Sequence, residues 1–561
     1  MNNTTSSVRP QGFSRQLAAA AILGGALLVG GIGLAVYSLV FAAGNPFAPH
    51  IASEDLTGKQ LGLFGVVIGT AALLILAATL RWSVSLRAAG IGNPFPVIMV
   101  AVLGIEILVT VDLGIRATVE RVFGSYTAYP ELPTAVAAWY LVIVGSAFAL
   151  AVTCAPPALG ALSARTGATC AAVGVLVCAL ATGFALRAGD DSRFSDHRTA
   201  SATAIAPVPE SLGTEKFRVD LTAAAVVVGG NGFIVGSIEG LTAYDGATGA
   251  PRWHHLRPEA ATHGVRHNPR YLQSIPSENV VVSYWNNWGW LAFDASTGEK
   301  LWSDAQFSAD AGPQKPFGDF NTHPQPLLIR ETGPSFVRYD ARTGQQMWSS
   351  PTDESCRDMA PKIAVTTRAI YQVSMCNGSL STRTTIVAFD PATGSVRTER
   401  EITHPANRAP RLTVVDEVVS IEWRAAAGAH SHLRFSSPAQ LSTATPSESF
   451  TLIAADLSAG TLVGEPGDGP VVVSETGGPS RSLPADSRTP VRDHEVVLLA
   501  SELVVISAGE LQTWRRGDLS PSSAGPALRS CSPYEVTSAP GVVLVFCANA
   551  DATTRMVGFA P

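Results

Sequence analysis

The chain has 561 residues, 46% hydrophobic and only 15% charged, with a formal net charge of −6. Soluble domains average about 25% charged residues, so part of this chain must find an apolar environment. The acidic balance, with no basic stripe interleaved with aromatics, excludes nucleic acid as a partner, and the length implies two or more domains.

The apolar excess falls at the N-terminal end. Five runs, at 17–43, 61–80, 95–115, 135–155 and 168–186, each approach or exceed the ~20 residues that a helix needs to cross hydrocarbon. They predict a five-span transmembrane domain over 1–187, inserted in a bilayer. Arg9, Arg15, Arg81, Arg87 and Arg165 fall on one side of this topology, and Lys59, Arg116 and Arg121 on the other. By the positive-inside rule the N-terminus is cytoplasmic and everything after the fifth span is extracytoplasmic, at a bacterial plasma membrane. Glu106 lies near the middle of the third span, where a carboxyl is costly. It reads either as a group handling protons or quinone, or as a protonated acid bonded to a neighbouring helix. Asp112, nearer the outer end, reads as a solvated or capping residue. Gly24, Gly25, Gly30, Gly31 and Gly33 in the first span suit close helix packing.

Residues 188–216 are polar and rich in Ser, Ala and Pro, the composition of a flexible tether. From 217 to 561 the pattern changes to short strand-like runs separated by Gly and Asn turns. Within it, Ala-x-Asp-x-x-Thr-Gly-x-x-x-Trp occurs complete at Ala243–Trp253 (Asp245, Thr248, Gly249, Trp253) and Ala292–Trp302 (Asp294, Thr297, Gly298, Trp302). Arg338–Trp348 (Asp340, Thr343, Gly344, Trp348) lacks only the Ala, and Ala388–Thr398 (Asp390, Thr393, Gly394) lacks only the Trp. The four aspartates are 49, 46 and 50 residues apart by numbering, a period typical of propellers and solenoids. The Asp can bond its own backbone to start a turn, the Gly supplies positive φ, and the Trp buries a large flat face. Each unit is a hairpin that cannot cover both its faces, so units must stack.

This pattern resembles the tryptophan-docking repeat of the PQQ-like (quinoprotein-type) β-propeller family. The resemblance implies a propeller over 217–561. At roughly 48 residues per unit that gives about seven blades, possibly eight, although the motif fades past Asp390. Closure of the ring is expected from pairing of the last strand with early ones. The family includes quinoprotein dehydrogenases and non-catalytic scaffolds. In the dehydrogenases the cofactor lies on the axis between a Trp floor and, often, a vicinal disulfide, with Ca²⁺ or Mg²⁺ held by carboxylates and amides. This chain has no adjacent cysteine pair and no metal-ligand string, so no catalytic, cofactor or metal residue is assigned. Membrane-bound glucose dehydrogenases of the family do carry five N-terminal spans, which keeps a PQQ-dependent, quinone-linked alternative open.

Four of the seven cysteines fall in the repeat region as two near neighbours, Cys356 with Cys376 and Cys531 with Cys547. They read as two local disulfides of an oxidising compartment, or as four reduced buried thiols. The aromatic run Tyr284–Trp290 reads as core between blades or as a pocket lining, and His254, His255, His263 and His267 as an exposed loop or, less simply, a metal site. The expected function is a membrane-anchored scaffold or binding module for envelope proteins or a cell-wall ligand. The alternatives are the dehydrogenase and an envelope sensor or transport accessory using Glu106.

Overall fold

The computed structural model describes residues 11–40, 66–75, 77–79, 95–154, 163–221, 225–264, 269–285, 288–304, 326–331, 335–351, 362–377, 381–405, 411–424, 430–446, 450–465, 470–475, 479–484, 495–507, 509–523, 528, 532–548 and 554–561. They form two compact units, Met1–Ser195 and Asp196–Pro561.

The first unit holds four long helices: α1 (Gln11–Val40), α2 (Phe95–Gly124), α3 (Glu131–Cys154) and α4 (Ala164–Ala188). Three stretches, Ala18–Val40, Glu131–Phe148 and Ala164–Phe194, are long and apolar enough to cross a membrane. The five-span expectation is therefore corrected to three candidates among the described residues. Of the second run, the helical segment Val66–Thr79 falls in the described part. The described part of the third carries Glu106, Asp112 and Arg116 within three to four turns. The loops 41–65 and 81–94, whose charges set the expected orientation, lie outside the described residues. Side chains of α1 pack with those of α3 and α4 in one apolar core that includes Leu27, Leu34, Ala138, Val142 and Cys178. Close approach depends on missing side chains. A Cβ at Gly31 would sit 2.9 Å from Val142, and one at Gly145 2.8 Å from the Gly24 carbonyl. Gly30 faces Cys178 with no room for a methyl group. Gly25 and Gly33 face open space, so only part of the glycine set in α1 serves packing.

The second unit is a propeller of eight antiparallel sheets. Blade 1 comprises Ala225–Gly229, Gly232–Gly236, Gly240–Asp245 and Pro251–Leu256, with the short strand Asp196–Arg198 added at its outer edge. Blades 2 to 7 follow in chain order over 269–304, 328–351, 362–405, 411–435, 451–482 and 496–523. The count of about seven is corrected to eight, the alternative left open, because later blades take fewer than the roughly 48 residues assumed per unit. Blades 3 and 5 show three strands among the described residues. In blade 3 these are the second to fourth, since Asp340 and its turn follow the middle one. In blade 5 the place of the outermost strand is taken by the helix Pro438–Thr443, whose Leu441 is fully buried.

Blade 8 closes the ring. Ser532–Ala539, Val542–Ala548 and Thr554–Ala560 come from the C-terminal end, and Thr214–Leu221, from the other end of the unit, pairs antiparallel with Thr554–Ala560 as the outermost strand. The alternation of Val536, Val543, Val545 and Phe559 with outward residues buries one sheet face against blade 7, and the other face packs on blade 1 through Phe233 and Val235. Phe217 stacks on Phe233 at 5.9 Å and covers Gly558 and Gly249 so closely that neither could carry a Cβ. Replacing Phe217 by Ala should cost about 3–5 kcal/mol, read as a lower denaturant midpoint. Phe217→Trp, closer to the other blades' locks, should retain more of the stability.

Candidate functional site

The repeated motif forms a lock between neighbouring blades. In blade 2, Asp294 Oδ1 accepts from the Ser296 and Thr297 amides, at 3.0 Å each, and the Gly298 amide donates to the Asp294 carbonyl at 2.8 Å. The same turn recurs at Asp245 with Thr248 and Gly249, at Asp340 with Thr343 and Gly344, and at Asp390 with Thr393 and Gly394. The Trp of each blade reaches the turn of the next. Trp253 Nε1 donates to the Ala295 carbonyl (2.9 Å), Trp302 to Ala341 (2.7 Å) and Trp348 to Pro391 (2.9 Å). Gly298, Gly344 and Gly394 have φ of 75°, 69° and 71°, and a Cβ on each would lie 2.6–2.7 Å from the indole of the preceding blade. Thus the glycine meets two demands at once: left-handed backbone and a flat seat for the ring. Thr398 replaces the Trp of the fourth copy because blade 5 presents no such turn. The Pro438–Thr443 helix lies there instead, and Arg400 donates to the Leu441 carbonyl at 2.5 Å.

Beyond blade 5, arginines take over. Arg481 Nη1 donates to the Gly517 carbonyl in the turn of blade 7 (2.5 Å), as the tryptophans do earlier. Arg516 reaches back to Asp456 (2.6 Å) and Thr461 (2.7 Å) in blade 6. In blades 2 and 3, Arg338 pairs with Glu278 at 2.6 Å, and Arg342 with Asp294 at 3.1 Å. No sequence signal marked these partners, since a lone Arg carries no period.

Two further features stand at this side of the ring, where the first-to-second and third-to-fourth strand turns gather. The stretch read as a tether is hydrogen-bonded along its length. The Ala200 amide donates to Thr297 in blade 2, Asn231 of blade 1 donates to Thr203 and Ala204, Gly541 of blade 8 donates to Pro207, and Ser501 of blade 7 donates to Glu210. This strap spans the seam on both sides of the closing blade. Where it ends, the Leu212 amide donates to Glu502 at 2.9 Å. There a polar cleft of about 890 Å³ opens between blades 6 and 7, lined among others by Thr461, Glu475, Glu502, Arg515, Arg516 and Asp518. Burial pushes the Asp456 carboxyl beside it upward, but bonds from Ser458 and Arg516 outweigh this and hold it at about 2.

The aromatic run is core rather than pocket lining. Trp285, Trp288 and Trp290 are buried. Trp285 donates to Ser283 Oγ at 2.7 Å, and Arg257 lies over the Trp288 ring. Asn286 and Asn287 lie outside the described residues. His255, expected on an exposed loop, is instead buried against Trp285 and Phe293, because residue 255 belongs to an outer strand whose side chains face blade 2. His263 is exposed, and His267 lies outside the described residues. Among the described residues no group of three or more His, Cys, Asp or Glu could hold a metal.

In the helical unit Glu106 is exposed on α2, beside a shallow groove of about 350 Å³ lined by Val102, Ile105, Val109 and Thr110. Asp112, read as solvated, is a hub: it pairs with Arg116 at 2.8 Å and accepts from Tyr140 at 3.0 Å. Each expected disulfide has one member, Cys356 or Cys531, outside the described residues. Cys547, buried in blade 8, is disulfide-bonded, and Cys170 and Cys178 of α4 are free.

A family model described as outer membrane protein assembly factor BamB, of the PQQ-type repeat, matches residues 158–315 and 277–433. The matched region holds every copy of the Trp-lock motif and ends in blade 5, where the motif gives way. Among solved structures the chain is similar to the Dos1 propeller (10% identity, 62% of this chain and 95% of that one, TM-score 0.38). It is also similar to the WD40 domain of SCAP from fission yeast (8% identity, 52% and 83%, TM-score 0.30). No curated protein matches the chain.

Removing Arg516 leaves Asp456 without its cation, so Arg516→Ala should destabilise the protein by about 3 kcal/mol in urea titration. Asp456 itself gives a pH signature. Its folded value lies below the ordinary 3.8, so its contribution is present above about pH 4 and disappears as pH falls toward 2. Asp456→Asn should flatten that part of the acid unfolding curve.

Proposed function

We propose that this protein is a membrane-anchored propeller acting as a binding or scaffolding module at the outer face of a bacterial plasma membrane, with its N-terminus cytoplasmic. The observation that carries this reading is how the repeat residues are used. The Asp, Thr, Gly and Trp groups bond one another and the adjacent blade, so the motif maintains a platform, and the family model matching that stretch describes an assembly factor. The three apolar candidate spans supply the anchor. Wide faces with polar clefts such as the one between blades 6 and 7 suit contacts with envelope proteins or a cell-wall ligand. The reading needs no prosthetic group.

Cross-linking in native membranes followed by mass spectrometry tests it: contacts to envelope proteins or cell-wall material should map to propeller residues. Titration of the purified chain with PQQ plus Ca²⁺ or Mg²⁺ should give no stoichiometric uptake and no dye reduction with sugars or alcohols. Uptake with turnover would favour the dehydrogenase instead. The extracytoplasmic placement also expects the Cys356–Cys376 and Cys531–Cys547 disulfides, so thiol-labelling mass spectrometry should find these four cysteines unlabelled without reductant. Four labelled thiols would contradict the placement.

A further inference from the structure

The strand Asp196–Arg198 is three residues long and extends blade 1 to a fifth strand through Pro251–Leu256, in the register Asp196 opposite Leu256, His197 opposite His255 and Arg198 opposite His254. It is the first element of the propeller unit reached after the helices, and the next fixed point is the Ala200 amide on Thr297. Two imidazoles hold its centre. The rings of His197 and His255 meet edge to face at 5.2 Å, and His255 also lies 5.2 Å from Trp285 and 5.4 Å from Phe293, with only 2% of its surface exposed. Neither Nδ1 has a hydrogen-bond partner.

The charges around this pair are unfavourable to a proton. Lys300 of blade 2 and Arg257 at the end of the outer strand face His255, and Lys300 faces His197. The carboxylate of Asp196 lies at the edge of the cluster, 3.1 Å from His254 Nε2 on the neighbouring rung. Neutral imidazoles fit this site, and imidazolium ions do not.

We propose that Asp196–Arg198 is an acid-released latch: protonation of His197 and His255 detaches the strand from blade 1 and lengthens the connection between the helical unit and the propeller. Three residues freed from a strand add about 10 Å of reach. Burial, followed by the charge of Lys300, holds both imidazoles below the ordinary value of 6.5. A base depressed in the folded state contributes fully above the unfolded value and loses its contribution as pH falls below it. Release therefore sets in below about pH 6.5, the range in which histidines switch.

Hydrogen exchange on the detergent-solubilised full chain at pH 7.5, 6.5 and 5.5, corrected for intrinsic rates, tests the latch. Protection at 196–198 and at the amides of 254–256 that pair with them should fall about tenfold or more between pH 6.5 and 5.5, while Thr461–Glu465 in blade 6 holds its protection. The double variant His197→Phe with His255→Phe should show a flat profile. If that variant does not fold, the single His197→Phe, at the half-buried rim, must reduce the fall at least threefold. Wild-type protection that stays constant to pH 5.5, or an equal fall in wild type and variant, overturns the proposal.

Discussion

The first half of the propeller and its closure depend on one contact: an aromatic ring from the outer strand of one blade lying flat on a side-chain-free glycine in the next. A twisted four-stranded sheet has two apolar faces and no partner of its own, so its stability is borrowed from both sides. The indole removes a large area from water, its N–H donates to a turn carbonyl, and the turn is stiffened by its own aspartate. No link is optional in a ring, because one missing lock exposes two faces and two edges. That explains why the closing blade, made from both ends of the unit, rebuilds the same contact with Phe217 on Gly249.

The first half of the ring was legible because its locks repeat in sequence: Asp245, Asp294, Asp340 and Asp390 mark their turns by spacing alone. The second half was not. Arg481 does for blades 6 and 7 what Trp302 does for blades 2 and 3, yet an arginine gives no hint of the carbonyl that it will find. The count of about seven, with eight left open, came from the spacing of the first four turns, and later blades are shorter than that spacing, blades 5 and 7 lying within 411–435 and 496–523. Three of the five apolar runs stand as candidate spans among the described residues, and Asp112, Arg116 and Tyr140 form a bonded set that composition cannot display. His255 was misread because two adjacent histidines look polar, whereas strand alternation sends one inward and one to the rim.

The strap changes how the faces of the ring can be used. It runs in extended form over blades 2, 1, 8 and 7, fixed mainly through backbone groups. That part of the turn-rich face is occupied by the chain itself, and the polar cleft begins where the strap ends. Charge pairs there, such as Arg516 with Asp456, brace blades that lack indole locks and leave Arg515 and Asp518 at the opening.

The parentage of blade 8 also sets a timetable. Thr214–Leu221 leaves the ribosome more than 330 residues before its partner strand Thr554–Ala560. At ~5–20 residues per second that is roughly 17–70 s during which a strand with unpaired backbone groups, and with Phe217 and Val219 uncovered, waits unmatched. Early attachment of the strap to blades 1 and 2 would shelter that segment in the interval, so biogenesis of this protein is governed as much by what guards its waiting strand as by the strength of the finished circle.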